Sequence, residues 1–393
     1  MKKNNSVNVV IVGGDHHNTL SLIRCFGKKK ISFKVLIHTD LKPENLMVIR
    51  SKYAKNFELV SQNEIAVLNS LLKNKLNDKQ VIVPGSDLAE YVIDKNYEIL
   101  NEFYYIPGFK NNHGMVIKMM DKFQQKEWAD KNDIPMAKSW HIIKDNNSFV
   151  LPSNIKFPCI IKPNISVMGS KGDIKICKNI SKLNECLETT FKEYDDIIIQ
   201  QYLIKKFEIL AMGLISDAGC IGGVERKIRE SIPGGGGSTS LGKFIDEKNI
   251  LDKVNNVLKV LYADGYRGLY DVEFFECSDG IYLNEINFRH SGSGYALIGA
   301  GINTPYLYYL DIIGKLDDKN LNVKKVKGYF FSEIGEIYLL MKYKTINIFQ
   351  FLIDFMKSKS HAVYEISDLG PFKFILKKYL KIFIYKKIKR KKK

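Results

Sequence analysis

The stretch Asp271-Val-Glu-Phe-Phe-Glu-Cys-Ser-Asp-Gly-Ile-Tyr-Leu-Asn-Glu-Ile-Asn-Phe-Arg289 decides how this chain is read. Two apolar-rich runs flank Asp279-Gly280, a dipeptide suited to a two-residue turn, so the stretch predicts a β-hairpin. Residues two apart in a strand point to the same side. Asp271, Glu273 and Phe275 therefore share one face of the first strand. Glu285, Asn287 and Arg289 share one face of the second, beside a buried apolar set at Ile281, Leu283 and Ile286. Across a short hairpin, Glu273 comes near Glu285 and Asn287. Two carboxylates and an amide oxygen next to an arginine suit a hard, oxygen-seeking cation such as Mg2+ together with phosphate. A solvated polar face of a two-sided sheet carries the same alternation, and the hairpin alone does not separate the two.

Upstream, the apolar run Phe157–Lys162 ends in Ile160-Ile161-Lys162-Pro163. A lysine at the end of a buried strand is costly unless its cation finds a partner. The following loop contains Gly169, Ser170 and Gly172, and such loops offer backbone N–H groups to phosphate. The GxxxxGK[ST] order of a nucleotide-binding P-loop is missing. Asp121-Lys122 opens a polar helix over 122–132 and supplies a second cation. Either lysine alone reads more readily as a surface residue; their joint position ahead of the acidic hairpin favours phosphate. Ile197–Leu203, Phe207–Leu214, Cys220–Glu225, Leu269–Phe275 and Ile281–Asn287 form an antiparallel series.

The first 115 residues have a different rhythm. Val7–Val12, Phe33–Thr39 and Gln80–Pro84 read as buried parallel strands, with helical patterns at Thr19–Phe26 and Glu64–Leu72 between them. Gly13-Gly14-Asp15 lacks the GxGxxG spacing and reads as a tight turn. The predicted fold class is mixed α/β and α+β: a βαβ domain at 1–115, a domain with antiparallel sheets at 116–315, and a C-terminal segment at 316–393.

In order along about two hundred residues, this set resembles the ATP-grasp superfamily. The pieces are Asp121-Lys122, Lys162-Pro163, the glycine loop, Gln200-Gln201-Tyr202-Leu203, Glu208, Arg226-Lys227-Ile228-Arg229 and the closing hairpin. The twelve-residue step from Glu273 to Glu285, followed by Asn287 and Arg289, is similar to that of biotin carboxylases. The first domain is similar to the pre-ATP-grasp domain. The resemblance implies that Lys122, Lys162, Gly169, Ser170 and Gly172 hold ATP phosphates. It implies that Gln200 and the backbone of Gln201, Tyr202 and Leu203 meet adenine, and that Glu208 meets ribose. Thus 116–200 would include the phosphate loop, and 201–315 the hinge and the metal site. Glu273, Glu285 and Asn287 would hold one or two Mg2+, with Mn2+ as an alternative, and Asp271 competes with Glu273 for the metal. Arg289, Lys227 and Arg229 would be catalytic, stabilising an acyl phosphate. His290 is a weaker candidate for a base. The loop Pro233–Ser240, with Gly234–Gly237, reads either as a flexible connection or as part of an acceptor pocket.

The implied activity is an ATP-dependent carboxylate–amine ligase similar to D-aspartate ligases, acting on a carboxylate and an amine of a small molecule or cell-envelope or surface-polysaccharide precursor. An ATP-grasp enzyme of carbamoyl-phosphate or purine type, acting on bicarbonate or a nucleotide, is the alternative. A non-catalytic nucleotide-binding adaptor is the reading of another class. A homodimer is compatible with any of them.

Composition bounds these readings. The chain has 393 residues, 45% of them hydrophobic, enough for real cores. Its net charge is +17, but eleven Lys and Arg lie after Leu369 with no acid among them, so the charge gives no support to nucleic acid as a partner of the body. Six cysteines without a CxxC pair suggest reduced thiols and a cytoplasmic location. The N-terminal apolar run is too short for a secretory signal, and no stretch reads as a membrane span. At the C-terminus, Phe372, Ile375, Leu376, Tyr379, Leu380 and Phe383 fall on one helical face opposite Lys373, Lys377 and Lys381. Such a helix either packs on the body or makes peripheral contact with anionic lipid at the inner face of a membrane.

Overall fold

A computed structural model describes residues 7–145, 148–165, 174–234, 236–317 and 326–391, with side chains as far as Ile382. The N-terminal sheet is parallel, in the order β3-β2-β1-β4-β5: β1 (Val9–Gly13), β2 (Phe33–His38), β3 (Phe57–Val60), β4 (Gln80–Pro84) and β5 (Tyr104–Tyr105). β1 and β4 are buried throughout because helices cover both faces. Val9, Ile11, Val81 and Val83 pack on helix α1 (His17–Lys28). Val10, Val12 and Ile82 pack on α2 (Glu64–Lys73) and α3 (Asp87–Lys95). The sequence reading finds three of these strands and omits both edges, the two-residue β5 and β3, whose Phe-Glu-Leu-Val is short and mostly not buried.

After the short helix α4 (Tyr97–Leu100), β6 (Gly108–Phe109) pairs with a strand of the large sheet, so the chain enters that sheet ahead of residue 116. Helices α5 (Met115–Met120) and α6 (Lys122–Lys131) follow. A four-stranded antiparallel sheet then runs β7-β10-β8-β9, made of β7 (Ser139–Ile143), β8 (Cys159–Pro163), β9 (Lys175–Cys177) and β10 (Asp196–Gln201). Helix α7 (Ile180–Thr190) closes its core with Leu183 and Leu187.

The large sheet has the order β15-β14-β11-β12-β13-β16-β17. Its long strands are β11 (Lys205–Ser216), β12 (Gly219–Glu230), β13 (Thr239–Ile245), β14 (Tyr266–Cys277) and β15 (Ile281–Asn287). One face, with Ile209, Ala211, Val224, Val272, Phe274 and Ile286, is buried against α8 (Lys248–Ala263), α5 and α6. The other face places Leu210, Met212 and Leu214 in one core with α1, α9 (Tyr295–Gly299) and α10 (Thr304–Ile312), which joins the N-terminal sheet to the large one. β13 begins at Thr239, so the end of the glycine-rich stretch is strand rather than loop.

The C-terminal segment adds β16 (Tyr329–Phe331) and β17 (Ser360–His361) to the large sheet. It is fastened to α1 by the buried Arg24, whose Nε donates to Asp368 at 2.9 Å. In the final helix, Gly370–Lys391, Phe372, Ile375 and Tyr379 pack on the body, whereas Leu376 and Leu380 are exposed. The single apolar face expected from the sequence is thus divided; Phe383 lies outside the described side chains. The six cysteines are unpaired thiols. No helix among the described residues is long and apolar enough to cross a membrane.

Candidate active site

The hairpin forms with a refinement that strict alternation misses. Asp271 pairs with Asn287, Glu273 with Glu285 and Phe275 with Tyr282, while a register shift after Glu273 leaves Asn284 as an extra residue. Without this bulge Leu283 would share the face of Glu285. With it, Leu283 and Ile286 are buried with Val272 and Phe274, and the polar set points the other way. The connection is also one residue longer than expected, Ser278-Asp279-Gly280.

Two cations reach the same place from the small sheet and α6. Lys162 on β8 is buried, and its ammonium is pulled down to about 8 by burial and then by Lys122, while Glu285 and Glu273 partly offset both. Asn164, which the sequence reading did not single out, fixes Lys122. Its carbonyl accepts from the Lys122 backbone N–H at 3.1 Å and from Lys122 Nζ at 3.2 Å. Its side-chain oxygen accepts from Phe123 N at 3.0 Å. Asp121 caps the same helix by accepting from Gln124 N at 2.8 Å. Gln125 then ties α6 to the hairpin: its amide donates to the Ile286 carbonyl at 3.2 Å and accepts from Ile286 N at 3.1 Å. Gly169, Ser170 and Gly172 lie outside the described residues.

At the hinge, Gln200 is buried and donates to Ser139 Oγ at 3.0 Å. The backbone N–H groups of Gln201 and Tyr202 are already engaged by Lys138 O and Pro158 O, at 2.8 and 3.1 Å. Leu203 follows, beyond the end of β10. Glu208 accepts from Lys205 and Lys227 in close ion pairs. Burial alone would raise its carboxyl, but the two lysines outweigh this and hold it below the usual range.

Arg289 sits between the two sheets. It is ion-paired with Asp87 at the start of α3, and its Nη1 is 3.5 Å from Asp271. Burial opposes its charge, yet Asp87 and Asp271 push its pKa upward. Asp271 is buried and raised to about 7 by burial and by Glu273; its Oδ1 has no hydrogen-bond partner among the described residues. His290 is buried beside Ser21 Oγ at 2.7 Å and pushed down to about 3 by burial and Arg289, so it stays neutral and joins domains. So low a pKa makes the neutral ring a weak proton acceptor.

Lys227 and Arg229 are not brought to the hairpin as partners of its acids. Lys227 pairs with Glu208 and donates to Gly237 O at 3.1 Å. Arg229 pairs with Glu336, at 2.8 Å, and with Asp354, both in the C-terminal segment. A further acid was not anticipated: Glu225 pairs with Leu210, and Leu210 with Glu273, so Glu225 lies in the same cross-strand row as Glu273 and Glu285. It is fully buried and raised by burial to about 8. Its position between apolar Val224 and basic Arg226 gave no signal.

The oxygen donors of Glu273, Glu285 and Asn287 on one face fit a Mg2+ ion, and the buried Asp271 Oδ1 is a spare acceptor beside them. Among the described residues no three His, Cys, Asp or Glu side chains are grouped so that they could hold a metal ion by themselves. A partial set of this kind suits a metal that shares its shell with phosphate.

Residues 127–304 match the family model of the ATP-grasp domain. A search of curated proteins gives no match. Among solved structures, N5-carboxyaminoimidazole synthase from Aspergillus clavatus, in complex with ADP and 5-aminoimidazole ribonucleotide, is similar at 16% identity and a TM-score of 0.63, over 82% of this chain and 81% of that one. The L-amino acid ligase from Bacillus licheniformis is similar at 14% identity and a TM-score of 0.60, over 84% and 79%. The biotin carboxylase domain of the Hydrogenobacter thermophilus 2-oxoglutarate carboxylase, with MgADP and bicarbonate, is similar at 17% identity and a TM-score of 0.61, over 81% and 73%.

Proposed function

We propose, from the match of residues 127–304 to the ATP-grasp domain, that this chain is an ATP-dependent carboxylate–amine ligase, making an amide through an acyl phosphate with release of ADP and phosphate. One observation carries the reading: Glu273 opposite Glu285 and Asp271 opposite Asn287, with Lys162 acting on both glutamates and Lys122 near enough to oppose its charge. Those lysines hold the β- and γ-phosphates. Glu273, Glu285 and Asn287 would hold Mg2+, which would neutralise charge on the transferred phosphoryl group. A carboxylate oxygen of the substrate attacks the γ-phosphorus and ADP leaves. A neutral amine then attacks the acyl carbon, phosphate leaves, and the amine proton passes to solvent. Arg289, kept cationic by Asp87 and Asp271, faces the negative charge of the acyl phosphate.

The finer reading is a cytoplasmic enzyme whose carboxylate or amine belongs to a cell-envelope or surface-polysaccharide precursor. Its basic tail meets anionic lipid; the eleven Lys and Arg after Leu369 support that contact. Purified protein with ATP, Mg2+ and panels of acids and amines tests the activity. ADP and phosphate should appear only when both partners are present. Release of AMP and pyrophosphate would sink the acyl-phosphate route. Turnover with bicarbonate alone would favour the carbamoyl-phosphate or purine type instead.

A further inference from the structure

We infer that the helix Ile348–Lys357 is an interfacial helix that seats on an anionic lipid bilayer. The inference concerns a helix that precedes the basic tail and does not rest on the tail's own contact.

The helix is amphipathic in an unusual sense: its inner side is already fully used. Phe351 and Phe355 meet the Phe331 ring edge-on at 5.2 and 5.5 Å, and Asp354 is buried in an ion pair with Arg229. The helix is therefore fixed to the body. Its outer side is nonetheless apolar. Phe349 and Met356 are each 74% exposed, Ile353 54% and Leu352 48%. Positions 349, 352, 353 and 356 follow helical spacing and form one continuous face. Single exposed apolar residues are ordinary, but four large ones on one short helix mark an interaction surface.

The rim of that face says what it meets. Lys342 and Lys344 precede the helix and Lys359 follows it, all exposed, while the exposed Lys357 at its end pairs with Asp354. Between Glu336 and Glu365 the sole acid is Asp354, which is turned inward. The complementary surface is apolar at its centre and anionic around it, which is the headgroup and acyl boundary of an anionic membrane. A second copy of this chain fits poorly, because the lysine rims of two net-positive molecules would be pressed together. Through Asp354 the seated helix also braces Arg229, on the strand that carries Lys227.

Full-length protein, the double variant F349S/M356S and a truncation after Ile382 are sedimented with vesicles of phosphatidylcholine alone or mixed with phosphatidylglycerol. F349S/M356S should bind the mixed vesicles about tenfold less or weaker still, with an unchanged melting temperature. Tryptophan emission of F349W should shift to the blue on mixed vesicles, relative to the wild-type background of Trp128 and Trp140. Equal binding by F349S/M356S and wild type, or an unshifted F349W signal, would overturn the assignment. So would a dimer in sedimentation that F349S/M356S abolishes without any vesicle binding by wild type. Loss of binding only on truncation would place lipid contact in the tail and overturn the helix; loss only in F349S/M356S would overturn the tail and keep the helix.

Discussion

On β12 every basic side chain meets acids. Arg226 is paired with Glu247 and Glu276, at 2.6 and 2.9 Å, Lys227 with Glu208, and Arg229 with Glu336 and Asp354. Across the same sheet, on β14 and β15, Asp271, Glu273 and Glu285 crowd one face, and the cations opposite them, Lys162 and Lys122, also repel each other. The first region has settled its charges inside the protein and gains stability from them. The second keeps like charges close, an arrangement that a phosphate and a metal would relieve. Charge in a sequence therefore points to chemistry where the fold gathers like charges rather than pairing them off.

The contrast can be broken most sharply at the hairpin. Glu285→Gln is expected to lower ADP release by about a thousandfold, since several kcal/mol of charge stabilisation depend on the metal it would hold. Calorimetry should show the fold intact. Undiminished turnover would remove the hairpin from the chemistry. On β12 the expectation is reversed in kind: Arg229→Ala removes the cation paired with the buried Glu336, leaves Asp354 to Lys357 and Gln350, and should cost about 3 kcal/mol of stability. An unchanged melting temperature would show that Arg229 is not a brace, and Arg229→Lys should recover part of the loss.

Two pH experiments sharpen the comparison. Lys162 is lowered in the folded protein to about 8 from 10.5, so the unfolded chain binds more protons between those values. Stability should then rise with pH across that window, relative to Lys162→Met, while ATP affinity measured by calorimetric titration falls as the ammonium is lost. A flat difference between the two proteins would put Lys162 in an ordinary environment. Asp271 is raised to about 7 from 3.8, so here the folded chain binds more protons and stability falls as pH climbs through that range. The smallest effect follows: Asp271→Asn should melt a few degrees higher than wild type above pH 7, and the gain should vanish near pH 4.

Much of this was legible in local pattern. Val9–Val12 and Gln80–Pro84 are buried on both faces, so apolar runs announced them, and β15 ends at the residues expected. The Asn284 bulge was not legible, because a period of two cannot show where it slips. Nor could the sequence pair Arg289 with Asp87, two hundred residues earlier, or Arg229 with acids beyond residue 330. Asn164 was passed over for a related reason: its importance lies in capping a helix more than thirty residues earlier, and side-chain caps of that reach leave no spacing to read.

In the proposed reading the hinge has a consequence for which nucleotide is admitted. With the Gln201 and Tyr202 N–H groups engaged by Lys138 and Pro158, a base at Tyr202–Leu203 would meet the Tyr202 carbonyl and the Leu203 N–H. An acceptor followed by a donor matches the amino group and adjacent ring nitrogen of adenine. Guanine, with a carbonyl at the first position and an N–H at the second, would set acceptor against acceptor and donor against donor. Discrimination between the two purines would then be written in the main chain, where no side-chain substitution can easily reverse it.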